Sequence, residues 1–227
     1  MTEATATRQP KSIDTTPRIC YQVSMSKPTS HLFEVSLQIQ NWQESMLNLK
    51  MPVWTPGSYL VREYARHVQD FYAESSRDFS KAEALHDRIA LKFQKNSKNH
   101  WQISTIKCSE ITVKYRIFAN ELTVRTNHLD ATHGYFNGAA LFFLISGWEK
   151  QPIRIKIVPP YKDWQVTTTL LPIDKAANLI EAPDFDTLVD SPVEIGKQKL
   201  YDFTVLNKPH SLAIWGEGNA KPEKIIE

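Results

Sequence analysis

Apolar residues at every second position, repeated along most of the chain, constrain its fold more than any other feature. Ile19, Tyr21, Val23 and Met25 alternate with polar neighbours, and so do Phe33, Val35, Leu37 and Ile39. Successive side chains of a strand point to opposite faces, so each run describes a ribbon with one buried and one wet side. The pattern returns at Leu47/Leu49/Met51, Ile89/Leu91/Phe93, Trp101/Ile103 and Ile111/Val113/Tyr115/Ile117. It continues at Leu122/Val124, 141–145, Ile153/Ile155/Ile157, Val166/Thr168/Leu170, Phe203/Val205 and Leu212/Ile214. About a dozen strands at spacings of roughly 10 to 15 residues predict an all-β fold, an antiparallel β-sandwich or saddle-like twisted sheets. Strand–helix–strand alternation is missing, which argues against a doubly wound parallel sheet. Thirteen prolines against seven glycines fit stiff turns between short strands.

One segment breaks the alternation. Residues 51–59 hold two prolines and a glycine, and Val61, Tyr64, Ala65 and Val68 then follow the spacing of one helix face. A short helix is predicted near 58–69, with Ser58 as N-cap and Arg66 and Asp70 one turn apart. Its bland role is to cap the core, with Trp54 plugging one end of the sandwich. Its functional role is to present Tyr59, Arg62 and Arg66 to a neighbouring surface. The six tryptophans are dispersed and read as core anchors, not as a stacking platform.

Residues 1–17 are rich in Thr, Ser and Pro and are expected to be a disordered tail. The domain is expected over 18–220, with 221–227 opening a linker. Twenty-seven Lys and Arg against 25 Asp and Glu leave a net charge of +2, without the basic face a nucleic acid requires. No run reaches the roughly 18 apolar residues that span a bilayer, and no signal peptide is visible. A cytoplasmic protein, bound to neither membrane nor nucleic acid, is expected. Cys20 and Cys108 read as buried free thiols.

Catalytic signatures are absent: no His-Glu-x-x-His, no Gly-x-Ser-x-Gly, no phosphate loop and no Cys-x-x-Cys. The seven histidines are scattered apart from His128 and His133, which flank Asp130. Two imidazoles and a carboxylate suit zinc, but the spacing is not that of a helical pair and no fourth ligand is close in sequence. The expectation is therefore a hydrogen-bonded polar loop running into Tyr135, Asn137 and Gly138, with no metal.

Residues 51–68, MPVWTPGSYLVREYARHV, resemble the Pro-x-Trp-x-Pro-Gly-Ser-Tyr signature of the glycyl aminopeptidase family, PDZ-containing zinc metallopeptidases. Further similar blocks are KNHW at 98–101, VRTNHLD at 124–130, WQVTTTL at 164–170 and APDFDTLVDSPVEIG at 182–196. Five blocks in one order make the resemblance specific, and it spans about 19–216. It implies the N-terminal β-domain of such a peptidase, packing on its own catalytic and PDZ domains and narrowing a cleft for short peptides. Zinc is expected in the catalytic domain, which this chain lacks, so no catalytic residue and no cofactor are assigned here. By analogy with the amino-end contacts made by such domains, Asp130, Tyr135 and Asn137 are expected to bind substrate. Tyr59, Arg62, Arg66, Asp190 and Glu194 are expected to face the domain junction. The alternative is a free-standing β-sandwich module that binds peptide or carbohydrate.

Overall fold

The computed structural model describes residues 15–76 and 88–227. The expected tail falls outside those residues up to position 14. Among the described residues the largest sheet has eight strands. Their order is β14 (Leu171–Asp174), β15 (Leu179–Ala182), β12 (Ile153–Val158), β1 (Arg18–Ser24), β2 (Leu32–Gln40), β8 (Glu110–Phe118), β4 (Val68–Ser76) and β5 (Arg88–Ala90). Register aligns the alternating residues into rows: Ile155, Tyr21, Leu37, Val113 and Ala73 follow one another across five strands. All five are buried, whereas Gln22, Gln38 and Arg154 point to the wet face. Each large apolar side chain so placed contributes about 1.5–3 kcal/mol, which makes a one-residue slip of any central strand prohibitive. β1 and β12 run parallel, a departure from the all-antiparallel expectation.

Two smaller sheets cover the inner face. One has the order β13 (Gln165–Thr168), β16 (Val193–Gly196), β10 (His133–Phe136) and β9 (His128–Leu129). The other has the order β11 (Leu144–Ile145), β3 (Met46–Lys50), β7 (His100–Ser104) and β6 (Phe93–Ser97). Between them runs the greasy stretch 139–145, mostly outside any ladder. Its carbonyls are met from the large sheet: Tyr21 Oη donates to Phe143 O at 2.7 Å and Tyr115 Oη to Leu141 O at 2.9 Å. Two core tyrosines thus satisfy backbone that would otherwise be buried without partners. Phe143 packs edge-on against Trp101 and Tyr115, and Phe136 against Phe33, which ties both covering sheets to the large one.

A two-stranded hairpin, β17 (Lys199–Val205) and β18 (Lys208–Ile214), follows the core. Leu206 and Asn207 at its tip both have positive φ, as a tight primed turn demands. Helix α1 (Phe185–Val189) is capped by the Asp184 carboxylate, which accepts from Thr187 N at 2.8 Å. Helix α2 (Pro222–Ile225) lies where a linker was expected to open.

The helix expected near 58–69 is only a 3-10 turn, Tyr64–His67. Tyr64 and Ala65 of the helical pattern are buried, but Val61 is exposed and Val68 starts β4. Ser58 instead bridges Thr55 in a turn through Gly57, and Glu63 occupies the N-cap without a side-chain bond. Asp70 sits at a bulge with φ 50° and pairs with Arg116 of β8, not with Arg66. Leu122 and Val124 lie in an exposed loop, not a strand, and the expected polar loop 128–138 contains β9 and β10. Trp54 is 49% exposed and plugs nothing. Cys108 is buried and Cys20 half-buried, both free.

Candidate functional site

Two neighbouring features on the β9–β10 side of the molecule carry most of the residues singled out in the sequence. The first is built by strand register. His128 of β9 lies opposite Tyr135 of β10, which lies opposite Glu194 of β16. Partners across a ladder share a face, and so do residues two apart, so His128, Tyr135, His133 and Glu194 converge. The turn from β9 to β10 adds Asp130, whose N–H bonds His133 O at 3.0 Å. Gly196 lies opposite His133, and a Cβ there would come within 3.0 Å of His133 Cβ, so the glycine makes room for the imidazole.

Asp130 Oδ1 accepts from Thr132 N (2.7 Å), Thr132 Oγ1 (2.6 Å) and His133 N (3.1 Å). Its Oδ2 faces His128 Nε2 at 3.2 Å. His133 presents Nδ1 to Asp130 at 3.9 Å and Nε2 to Glu194 Oε1 at 3.7 Å. Burial opposes ionisation of Asp130, but these hydrogen bonds outweigh it and hold the carboxyl well below the usual range. Burial, aided by His128, lowers His133 to about 4 in spite of Asp130. Burial alone pushes Glu194 up to about 7. His128 Nδ1 and Glu194 Oε1 are buried with no hydrogen-bond partner. The indole of Trp215, just past β18, stacks on His133 and closes the cluster from the hairpin side.

The second feature is a groove of about 190 Å³ lined by Leu60, Val61, Arg62, Tyr64, Glu121 and Thr126, among others. Arg66 bridges its walls by pairing with Glu121 at 3.6 Å, and Glu63 pairs with Lys98 at 3.3 Å. Arg66 therefore pairs outside its own segment, and Asp70, one turn away in the expected helix, pairs with Arg116 instead. Tyr59 is 90% exposed, and Leu60, Val61, Leu122, Val124 and Trp54 are exposed as well. Buried Asn127 shapes the loop from beneath: its Nδ2 donates to Ala140 O at 2.9 Å and its Oδ1 accepts from Asn137 N at 3.1 Å.

Tyr135 and Asn137 come together on this loop, both donating to Val124 O, at 3.2 and 3.3 Å. Asp130 is not with them but in the histidine cluster. Arg62 and Arg66 line the groove, and Tyr59 is exposed just before it in sequence; Asp190 is exposed at the end of α1, and Glu194 is in the cluster. The sequence reading missed the joining of Glu194 to His133, and the parts played by Asn127 and Trp215. Only Asn127 carried a signal, as the first residue of the polar stretch that holds His128, Asp130 and His133.

Residues 20–197 match the model of the peptidase M61 N-terminal domain. The chain belongs to that family. The M61 N-terminal domain thus spans all three core sheets to within a residue or two, while β17, β18 and α2 lie beyond the matched residues. Among solved structures, an aminopeptidase N family protein from Idiomarina loihiensis superposes with a TM-score of 0.80 at 29% identity. The match covers 91% of this chain but 34% of that one, so this chain spans about a third of that protein's length. No curated protein matches the sequence.

Proposed function

We propose that this M61 N-terminal domain is the non-catalytic cover of a larger zinc aminopeptidase, packing on the catalytic domain and narrowing its cleft to short peptides. The observation that carries the proposal is the exposed apolar side chains at the 190 Å³ groove and in the segments that form it: Leu60 and Val61 line it, Tyr59 precedes them, and Leu122 and Val124 lie in the loop that brings Glu121 and Thr126 to it. Soluble monomers seldom leave such side chains clustered in water, and a domain interface removes the cost of hydrating them. Membership in a peptidase family and a solved relative about three times as long support a partner domain in the same polypeptide. The chain contains no His-Glu-x-x-His, so hydrolysis and the zinc that serves it are assigned to the remainder of the enzyme.

In this reading Tyr59, Arg62 and Arg66 face the junction, with Asp190 and Glu194 on its far side. Tyr135 and Asn137 shape the cleft edge by fixing the 121–127 loop through Val124 O. Asp130 supports the same edge through its turn. The test is a Tyr59→Asp/Val61→Asp variant of the longer enzyme, assayed on glycyl and alanyl substrates. Both residues are solvated in the domain, so its own melting temperature is expected to stay unchanged while kcat/KM falls about tenfold or more. Unaltered kinetics would refute the interface, and activity in the 227-residue chain alone would refute the assignment of hydrolysis elsewhere.

A further inference from the structure

The His128–Asp130–His133 cluster has an imbalance that hydrogen bonding within the protein leaves unresolved. One ligand atom from each of the three residues lies within 4.8 Å of the others. A tetrahedral zinc with bonds near 2.0–2.2 Å holds its ligand atoms roughly 3.4 Å apart, so modest side-chain rotation closes the set. The separation of His128 Nε2 from Asp130 Oδ2 is already 3.2 Å. Meanwhile His128 Nδ1 and Glu194 Oε1 are buried without a hydrogen-bond partner. Buried polar atoms without partners are costly, and the described structure brings no Lys or Arg side chain into an ion pair with this group.

The sequence objection to a metal was the lack of a fourth ligand close in sequence. Folding supplies no fourth ligand but an outer carboxylate: Glu194 arrives from β16, with Oε1 3.7 Å from His133 Nε2. It makes no hydrogen bond at that distance, and a shift of under about 1 Å would let it accept the second N–H of a ligating imidazole and fix its tautomer. Asp130 is equally prepared. Three donors saturate Oδ1 and hold its position, and Oδ2 keeps its lone pairs toward the histidines. His133 is locked by the Trp215 stack, with centroids 3.7 Å apart, and by the space that Gly196 leaves open.

We propose that His128, Asp130 and His133 form a divalent-metal site of the zinc class, with Glu194 as the positioning carboxylate for His133. Two neutral imidazoles and one carboxylate are a borderline donor set, which selects zinc over calcium or magnesium. A water fills the fourth position. The bound ion clamps β9, the β9–β10 turn and β10 together, and through Glu194 and Trp215 it stiffens β16 and the hairpin.

The test uses the tag-free 227-residue chain, stripped with chelator and titrated at neutral pH with zinc chloride alone and, separately, with cobalt chloride. Expected are one zinc per chain and intense visible cobalt bands of tetrahedral type. His128→Ala and Asp130→Asn abolish both, Glu194→Gln weakens zinc binding by roughly 10- to 100-fold, and His210→Ala, an exposed histidine on β18, changes neither. Absence of stoichiometric binding by the wild-type chain, or binding that survives His128→Ala and Asp130→Asn, would overturn the site. The cobalt spectrum of the wild-type chain decides the coordination independently of whether any variant folds. Zinc binding is independent of the interface proposed for the groove, and either can fail alone.

Discussion

The Trp215 indole lies flat on the His133 imidazole, with ring centroids 3.7 Å apart and planes 23° from parallel. This contact ties the end of β18, outside the family-matched residues, to a histidine that is 2% exposed in its side chain. Trp215→Ala is therefore expected to loosen the hairpin with little effect on the core. A ring stack of this kind is worth about 1 kcal/mol, so the melting temperature falls by a few degrees at most. Hydrogen exchange accelerates across 199–214 and stays unchanged in β1, β2 and β8. Uniform acceleration in all of them would contradict a local role.

Asn127 is expected to be among the least replaceable polar residues. Asn127→Ala strands the Ala140 carbonyl and the Asn137 N–H, both now bonded to its amide. Leaving one buried and one half-buried backbone group unsatisfied costs about 3 kcal/mol. Urea denaturation monitored by tryptophan fluorescence checks this, and a loss below a tenth of that size would show that water replaces the amide without difficulty.

At Gly138 the constraint is space. A Cβ there would lie 2.8 Å from Leu188 O and 2.9 Å from Val189 Cα, both backbone atoms of α1. Gly138→Ala must displace the helix or the 3-10 turn Gly138–Ala140, at a cost of about 1–3 kcal/mol. Gly218→Ala, with open space around its Cβ, is the control and is expected to be neutral within error.

Glu194 gives a pH signature in chelator-containing buffer. Burial raises its folded value from 4.5 to about 7, so between those values the folded state holds a proton that the unfolded state has released. Its contribution to stability is therefore undiminished below pH 4.5 and declines as pH rises toward 7. Glu194→Gln removes the ionisable group, so its stability relative to the wild type climbs through that window by about 3 kcal/mol and levels off above it. Denaturation midpoints at pH 4.5, 6 and 8 measure the difference; a constant difference across the series would contradict a buried, destabilised carboxylate.

These sites differ in how far the sequence exposes them. β1, β2 and β8 were legible because one face of the large sheet is wet, which leaves strict alternation in Tyr21, Leu37 and Val113 and their neighbours. β10 and β16 were not. Both faces of β10 are largely covered, and its residues His133 and Gly134 suit a close approach of strands more than any periodic pattern. The apolar spacing at 61–68 mimicked a helix because a 3-10 turn followed by a strand buries Tyr64 and Ala65 just as a helix would. Asp130, His128 and His133 were visible as a group, but Glu194 joins them only through the β10–β16 register, which no local spacing encodes.

The central claim, that this domain covers a catalytic partner through its groove, is tested most directly by hydrogen exchange on the longer enzyme and the 227-residue chain side by side. Amides of 59–62 and 121–126 are expected to exchange roughly tenfold or more slowly in the longer enzyme, since docking removes the local openings that exchange requires. Residues of the wet face, such as Gln22 and Gln38, serve as the internal reference. Equal exchange at the groove in both proteins would contradict the claim.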